Sequence, residues 1–370
     1  MIFDIAAKKP TDARRSNKSE KIRTLEVARG IAALLVAFYH GSHVVQLFKE
    51  GWGAPFGGLF SFGHAGVPFF FVLSGFIIFS VHRRDLDCPS RFTNFVWRRA
   101  TRIYPLFLVV MIPITLKYLA VGAFDLEYFI KSLLLLPQSK YPMLIPSWTL
   151  VHEALFYMLF GLTILNLRLS RFVLFAWLTL FCAVKWFEPD LGSGFAADVS
   201  RTVFSNYNVL FLVGIAVCSI IQHKPVPYSR ILACLGLLGF FSTGMAENAK
   251  LFVYSSRSDM LPVLMYGLSA ALIILSLVSA ELTGSIRMSR LANLLGSLSY
   301  PLYLTHGITI SIVVSIFGAT QYQGPGWIML VTAVAMACVA AMLVHRYVEL
   351  PMATYLKTVW HRRQWLRAIA

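Results

Sequence analysis

An all-α, polytopic membrane protein of about ten transmembrane helices, with both termini cytoplasmic, is the fold class this sequence predicts, and three observations predict it. Hydrophobic residues make up 57% of the chain and charged residues only 14%, whereas soluble domains carry about a quarter charged residues. The apolar stretches run past the ~18 residues that mark a helical span, rather than as the alternating ten-residue segments of an outer-membrane barrel. The basic residues also gather on one side of the barrier that these stretches define, as membrane insertion favours.

Apolar runs bounded by charge, proline or glycine place the spans at 25–47, 61–81, 103–121, 147–165, 172–187, 203–221, 231–246, 260–280, 297–317 and 326–345. With the N-terminus inside, the segments assigned to the cytoplasm (1–24, 82–102, 166–171, 222–230, 281–290 and 346–370) hold 24 of the 33 Lys and Arg, and the opposite segments hold six. The other three, Arg29, Lys117 and Lys185, fall within spans. One missed helix would invert every later loop, so an asymmetry that persists loop by loop supports ten crossings. The stretch 126–136 is apolar but too short to cross, and reads as a surface or re-entrant helix. The first 24 residues are polar and lead into an apolar run without a small-residue cleavage site, which fits an uncleaved start-transfer helix behind a cytosolic tail. The domain reading is a basic tail over 1–24, one integral membrane domain over 25–351 and a second basic tail over 352–370.

The net charge of +16 is mostly this topological bias, so it makes no case for a nucleic-acid partner; membrane lipids are the expected contact. Cys88, Cys182, Cys218, Cys234 and Cys338 are scattered singly, without the spacing of a metal site, and no metal is expected.

An ionisable side chain inside a span costs roughly 2.5–3.5 kcal/mol on insertion scales, so each should face a partner or a wet cavity. Arg29 and His40 lie eleven residues apart on the first span. That separation is three turns plus about 20°, which puts both on one helical face about 16 Å apart, with Arg29 toward the cytoplasm. One reading has Arg29 snorkelling to headgroups and His40 bonded to a carbonyl; the other makes both line a site. Counting inward along the spans puts Glu153 at the depth of His40, where a carboxylate would orient the imidazole of a general base. A structural ion pair is the bland alternative. His306, near the middle of the ninth span, reads as a core histidine or as part of the same cavity. Ser74 and Gly75 in the second span mark either close helix packing or the approach of a slim ligand. Arg91, Arg98, Arg99 and Arg102 gather at the cytoplasmic surface, where guanidinium forks suit either a phosphorylated donor or anionic headgroups.

Taken in order, these motifs resemble the acyltransferase-3 family of integral membrane acyltransferases, over Leu25 to Pro351. The pair Arg29 and His40 carries the resemblance furthest. Phe70, Phe71, Ser74 and Gly75 match a phenylalanine-rich Ser-Gly motif. Arg99, Arg102, Tyr104 and Pro105 match a helix-entry motif. Trp148, Glu153, Phe156 and Tyr157 match a third motif, and Ser299, Tyr300, Leu302, Tyr303 and His306 a fourth. The resemblance implies acetyl-CoA or another short acyl-CoA as donor, and a carbohydrate acceptor such as exopolysaccharide, lipopolysaccharide O-antigen or a lipid-linked oligosaccharide. It implies a multi-pass enzyme of the bacterial inner membrane. In its terms His40, Glu153 and Arg29 are catalytic. Arg29, Ser74, Gly75, Arg98, Arg99 and Arg102 bind the donor, and Trp148, Tyr157, Tyr303 and His306 face the substrate. Pro68 stands where many relatives carry Asp, and His152 precedes Glu153 where an acidic or hydrophobic residue is usual. The competing class is a transporter or flippase using Arg29, His40 and Glu153 as a proton relay. Transporters often show paired inverted repeats, and none is visible here.

Overall fold

Among the described residues, ten helices are long and apolar enough to cross a bilayer, one for each expected span. The computed structural model describes residues 22–48, 54–187, 189, 191–221, 224–252, 260–286 and 289–369, and no strand occurs among them. Of the basic tail expected over 1–24, all but the last three residues fall outside the described residues. The helices are α1 (Arg23–Phe48), α2 (Gly66–His82), α3 (Phe92–Ala120), α4 (Leu126–Leu133), α5 (Trp148–Leu165), α6 (Leu167–Phe187) and α7 (Phe195–Val203). They continue as α8 (Asn206–Ile221), α9 (Ser229–Asn248), α10 (Met260–Leu282), α11 (Arg290–Ala319), α12 (Gly326–Val344) and α13 (Leu350–Ile369). Short α4 does not cross, and α7 runs with α8 in one candidate crossing, Phe195–Ile221.

The ends of the bundle are tied by polar contacts that fix its two faces. The Glu281 carboxylate, at the end of α10, accepts from the Arg23 and Thr24 amides at 2.8 Å each and from Thr24 Oγ1 at 2.6 Å. Orphan amides and a helix dipole at the start of α1 thereby meet a negative charge. Asp87, between α2 and α3, donates its amide to Thr163 O at 3.0 Å and accepts the Leu167 amide at 3.1 Å, joining the α5–α6 turn to the same face. This end, which also carries the arginines at the start of α3, is called the basic face below.

Inside the bundle, α1 packs on α11 and α2 on α8. Without a hydrophobic driving force between helices in lipid, small residues decide how close backbones come. A Cβ on Gly30 would lie 2.6 Å from Leu295 O, and one on Gly296 would lie 2.7 Å from Glu26 O. Gly75 and Gly214 do the same for α2 and α8, at 2.1 Å from Phe211 O and 2.0 Å from Val72 O.

Two departures from the expected spans shape the site. The third crossing begins at Pro89 rather than 103. A helix need not stop where its side chains become charged, so Arg98, Arg99 and Arg102 stand on α3 itself. The last crossing runs on to Trp360, and the expected tail over 352–370 is helical through Ile369 and packed on α3. Pro351 lacks an amide hydrogen and its ring crowds the carbonyl four residues back. The preceding turn, His345–Glu349, is widened to a π-turn, a usual response to such a clash.

A third feature concerns depth. After α4, whose start is capped by Asp125 accepting the Tyr128 amide at 2.8 Å, the chain turns inward. Ser132, Leu135, Met143, Leu144 and Ser147 are buried, and the Tyr128 hydroxyl holds the Tyr141 carbonyl at 2.7 Å. Tyr303, in the middle of α11, donates to Pro146 O at 3.2 Å. The start of α5 therefore lies near mid-bundle, which moves every α5 side chain toward the basic face.

Candidate active site

A cavity of about 840 Å³ opens among α1, α2, α3, α5, α11 and α13 in the basic half, within the size range of ligand sites. Six basic side chains line it, Arg29, Arg91, Arg98, Arg99, Arg102 and Lys357, against two carboxylates, Glu153 and Glu349. On α3 the lining residues Asn94, Trp97, Arg98, Thr101, Arg102 and Pro105 form one face of the helix, which Arg99, Ile103 and Leu106 widen. A concave, apolar-walled site with net positive charge focuses its field on anions.

Each key guanidinium is aimed by a neighbour. Arg29 Nε donates to Ser299 Oγ at 2.7 Å, beside the Gly30–Gly296 contact that brings α11 close. Arg102 donates to Glu349 Oε1 at 2.9 Å and lies over the Tyr300 ring at 4.9 Å, while His345 Nδ1 holds Glu349 Oε2 at 2.6 Å. Arg99 donates to His82 Nε2 at 3.3 Å and lies 5.7 Å from the Tyr157 ring centre. That bond requires His82 to carry its proton on Nδ1, where Asp85 Oδ2 accepts it at 2.8 Å. Arg99 Nε is buried and has no hydrogen-bond partner, so this cavity carries an unfilled donor.

Deeper in the cavity, Glu153 Oε1 accepts from Ser74 Oγ at 3.2 Å and from the Tyr157 hydroxyl. Both partners donate, so the carboxylate is used as an acceptor only. At the inner wall the Tyr303 hydroxyl meets Thr149 Oγ1 at 2.9 Å, and its ring packs on Phe70 and lies 6.1 Å from the ring of His306.

Behind that wall stand two imidazoles whose tautomers follow from their partners. His306 Nδ1 faces the carbonyls of Leu302 at 3.1 Å and Tyr303 at 2.9 Å, both acceptors, so Nδ1 carries hydrogen. Its Nε2 is then a lone pair, 3.2 Å from His40 Nδ1. His40 Nδ1 is also 3.1 Å from Val36 O, so it is a shared donor and His40 Nε2 is left with a free lone pair. His40 is only partly buried. This is the arrangement of a general base held in one tautomer by a second ring.

Of the residues expected from sequence, Arg29, Ser74, Arg98, Arg99, Arg102, Glu153, Tyr157 and Tyr303 line the one cavity; His40, His306, Gly75 and Trp148 do not. Three expectations are corrected. Glu153 does not meet His40: among the described residues no hydrogen bond or ion pair joins them, and His306 Nε2 lies 3.2 Å from His40 Nδ1 instead. The inward course of the chain before α5 is the reason. Gly75 faces the Phe211 backbone, where it permits close helix packing, and does not line the cavity. Trp148 is spent on an aromatic cluster with Tyr207, His152 and Phe71. Sequence reasoning missed Thr149, Glu349, Lys357, Trp97 and Trp360 as lining residues. Glu349, an acid two residues before a proline at the end of the last apolar run, was the one signal available.

It also missed a polar cluster at the opposite face. Glu247, at the end of α9, accepts from the Tyr266 hydroxyl and lies 3.4 Å from His64 Nε2, while Ser61 Oγ donates to Asn248 Oδ1 at 2.6 Å. The His64 ring meets the edge of Tyr39, whose ring in turn lies 5.1 Å from that of His40.

The sequence that folds into this cationic cavity beside a paired histidine has relatives. The family described as "Acyltransferase domain", acyltransferase-3, matches residues 22–346, and the chain belongs to that family of membrane acyltransferases. It is also 28% identical over 261 residues, 69% of this chain and 78% of the other, to the "Exopolysaccharide production protein ExoZ" of Rhizobium meliloti (strain 1021). No solved structure matches the chain.

Proposed function

We propose that this chain is an O-acyltransferase that moves an acetyl or other short acyl group from acyl-CoA to a hydroxyl of an exported carbohydrate. Exopolysaccharide is the acceptor class favoured by the ExoZ relative, and lipopolysaccharide O-antigen is chemically equivalent. The observation that carries the reading is the six-cation cavity whose wall residue Tyr303 lies, ring to ring, 6.1 Å from His306, the partner of His40 Nδ1.

The acyl donor is made in the cytosol, so the basic face is cytoplasmic and the membrane is the bacterial inner membrane. Phosphates of the donor rest on Arg98, Arg99 and Arg102, whose forks match phosphate oxygens. The slim pantetheine arm passes Ser74, fixed by Glu153, and Arg29, fixed by Ser299. Tyr303 must move for the thioester to reach His40 Nε2. There the acceptor hydroxyl gives its proton to Nε2 as its oxygen bonds the acyl carbon. The carbon–sulfur bond breaks, and the CoA thiolate leaves and takes up the proton held on His40 Nε2, which returns the imidazole to its neutral form. His306 Nε2 accepts from the His40 Nδ1–H throughout, which stabilises the imidazolium that forms. A base of this kind contributes about 10²–10⁴-fold. Arg29 stays cationic and neutralises or positions the donor.

The test is purified protein with acetyl-CoA and a polysaccharide stripped of its esters by alkali. Release of CoA thiol together with a 42-dalton gain per modified sugar, the mass of an acetyl group replacing hydrogen, is expected on chemical grounds (about 42 Da for C2H2O). Movement of substrate across a sealed vesicle without thiol release would assign the chain to transport instead.

A further inference from the structure

Helix α13 lies beyond every recognised motif and outside the family match, which ends at residue 346, yet it forms one wall of the cavity. Ala353, Leu356, Lys357 and Trp360 face it, a spacing of three and four that is a single helical face. The widened turn ahead of Pro351 aims this face back across the start of α3. There the Trp360 ring stacks on Trp97, with centres 4.8 Å apart and planes inclined by 12°. Trp360 Nε1 is buried and has no hydrogen-bond partner. An indole nitrogen can only donate, and buried donors are almost always satisfied, so an orphan in a cavity wall asks for an acceptor from outside the chain. Lys357, one turn away, and Arg91 and Arg98, across the cavity, supply positive charge around the same spot.

An aromatic platform, an unfilled N–H donor and clustered cations together fit a purine nucleotide, whose base offers a π-face and whose ribose phosphate offers acceptor oxygens. A lipid headgroup would use the cations and the indole donor but not the aromatic platform. We infer that Trp360 and Lys357 of α13, with Trp97 of α3, form the subsite for the adenine nucleotide end of the donor. This rests on the acyl-CoA reading above and deepens it. The C-terminal helix is then a specificity element that separates a full CoA thioester from a shorter phosphopantetheine one.

The experiment titrates CoA and 4′-phosphopantetheine, which lacks the adenine nucleotide, onto the detergent-purified full chain and its variants. Trp360→Ala should weaken CoA roughly tenfold or more, the range of a lost base–aromatic stack, and leave 4′-phosphopantetheine within about twofold. Trp360→Phe keeps a stacking ring and should recover part of the loss; Lys357→Gln should weaken CoA selectively by a smaller factor. Unchanged CoA affinity in Trp360→Ala, or an equal loss for both probes, overturns the subsite. Native protein that binds neither probe overturns the acyl-CoA reading itself. If Trp360→Ala does not give folded protein, Trp360→Phe and Lys357→Gln decide: CoA affinity equal to native in both refutes the proposal.

Discussion

The two halves of this bundle hold their polar side chains by opposite means. In the basic half, cations are in excess and three of the six are aimed by a neighbour: Arg29 by Ser299, Arg102 by Glu349, Arg99 by His82. The cavity there is wide, and one guanidinium nitrogen has no partner. Beyond Tyr303, imidazoles pack ring against ring, with His40 and His306 bonded to each other and to helix carbonyls. The first arrangement suits an anion that must be held; the second suits a proton that must be moved. Separating them by depth keeps the base away from guanidinium groups that would oppose its protonation.

The comparison is broken most severely at His40. His40→Ala should lower acyl transfer by about 10²–10⁴-fold while CoA affinity stays at the native value, read by thiol release and by titration on the same preparation. Loss of CoA binding instead would place the histidine with the donor half.

The next contrast sets His306 against Glu153. His306→Ala frees the His40 ring to turn, and a misplaced catalytic group costs about 10²-fold. Glu153→Gln keeps an acceptor oxygen for Ser74 and Tyr157 and should cost less than roughly tenfold in rate. If Glu153→Gln matched His40→Ala and His306→Ala did not, the carboxylate would be the orienting partner after all.

On the donor side, replacing Arg99 and Arg102 together by Gln should weaken CoA binding by about 10- to 100-fold, since charge-assisted bonds contribute ~1.5–3 kcal/mol each and only part is lost. The maximal rate at saturating donor should change little. A fall in rate with unchanged CoA affinity would contradict the cradle.

The smallest expected effect lies outside both halves of the chemistry. Gly75→Ala puts a methyl 2.1 Å from the Phe211 carbonyl, and overpacking of this kind costs about 1–3 kcal/mol. Thermal unfolding should shift down while the folded fraction binds CoA normally. A selective loss of CoA affinity without a thermal shift would return Gly75 to the ligand.

Much of the fold was legible because its causes are local. Apolar run length, charge asymmetry and the cost of buried charge are sums along the chain, so ten spans and the odd residues Arg29, His40, Glu153 and His306 stand out without tertiary knowledge. The helical start of α3 and the α13 wall were not legible, because charged turns of a helix carry no hydropathy signal once they leave the bilayer. The depth of Glu153 failed for a definite reason. Counting residues inward assumes that a span begins at the surface, and the buried segment with Met143, Leu144 and Ser147 begins it near mid-bundle.

The sequence by itself determined the class, the number of crossings and the list of polar side chains that lipid cannot hold. Only the tertiary structure decided which of them meet. His40 and His306 are 266 residues apart, and their contact depends on how far α1 and α11 slide and rotate against each other. That is set by backbone approach at Gly30 and Gly296, a property of two surfaces rather than of either stretch of chain.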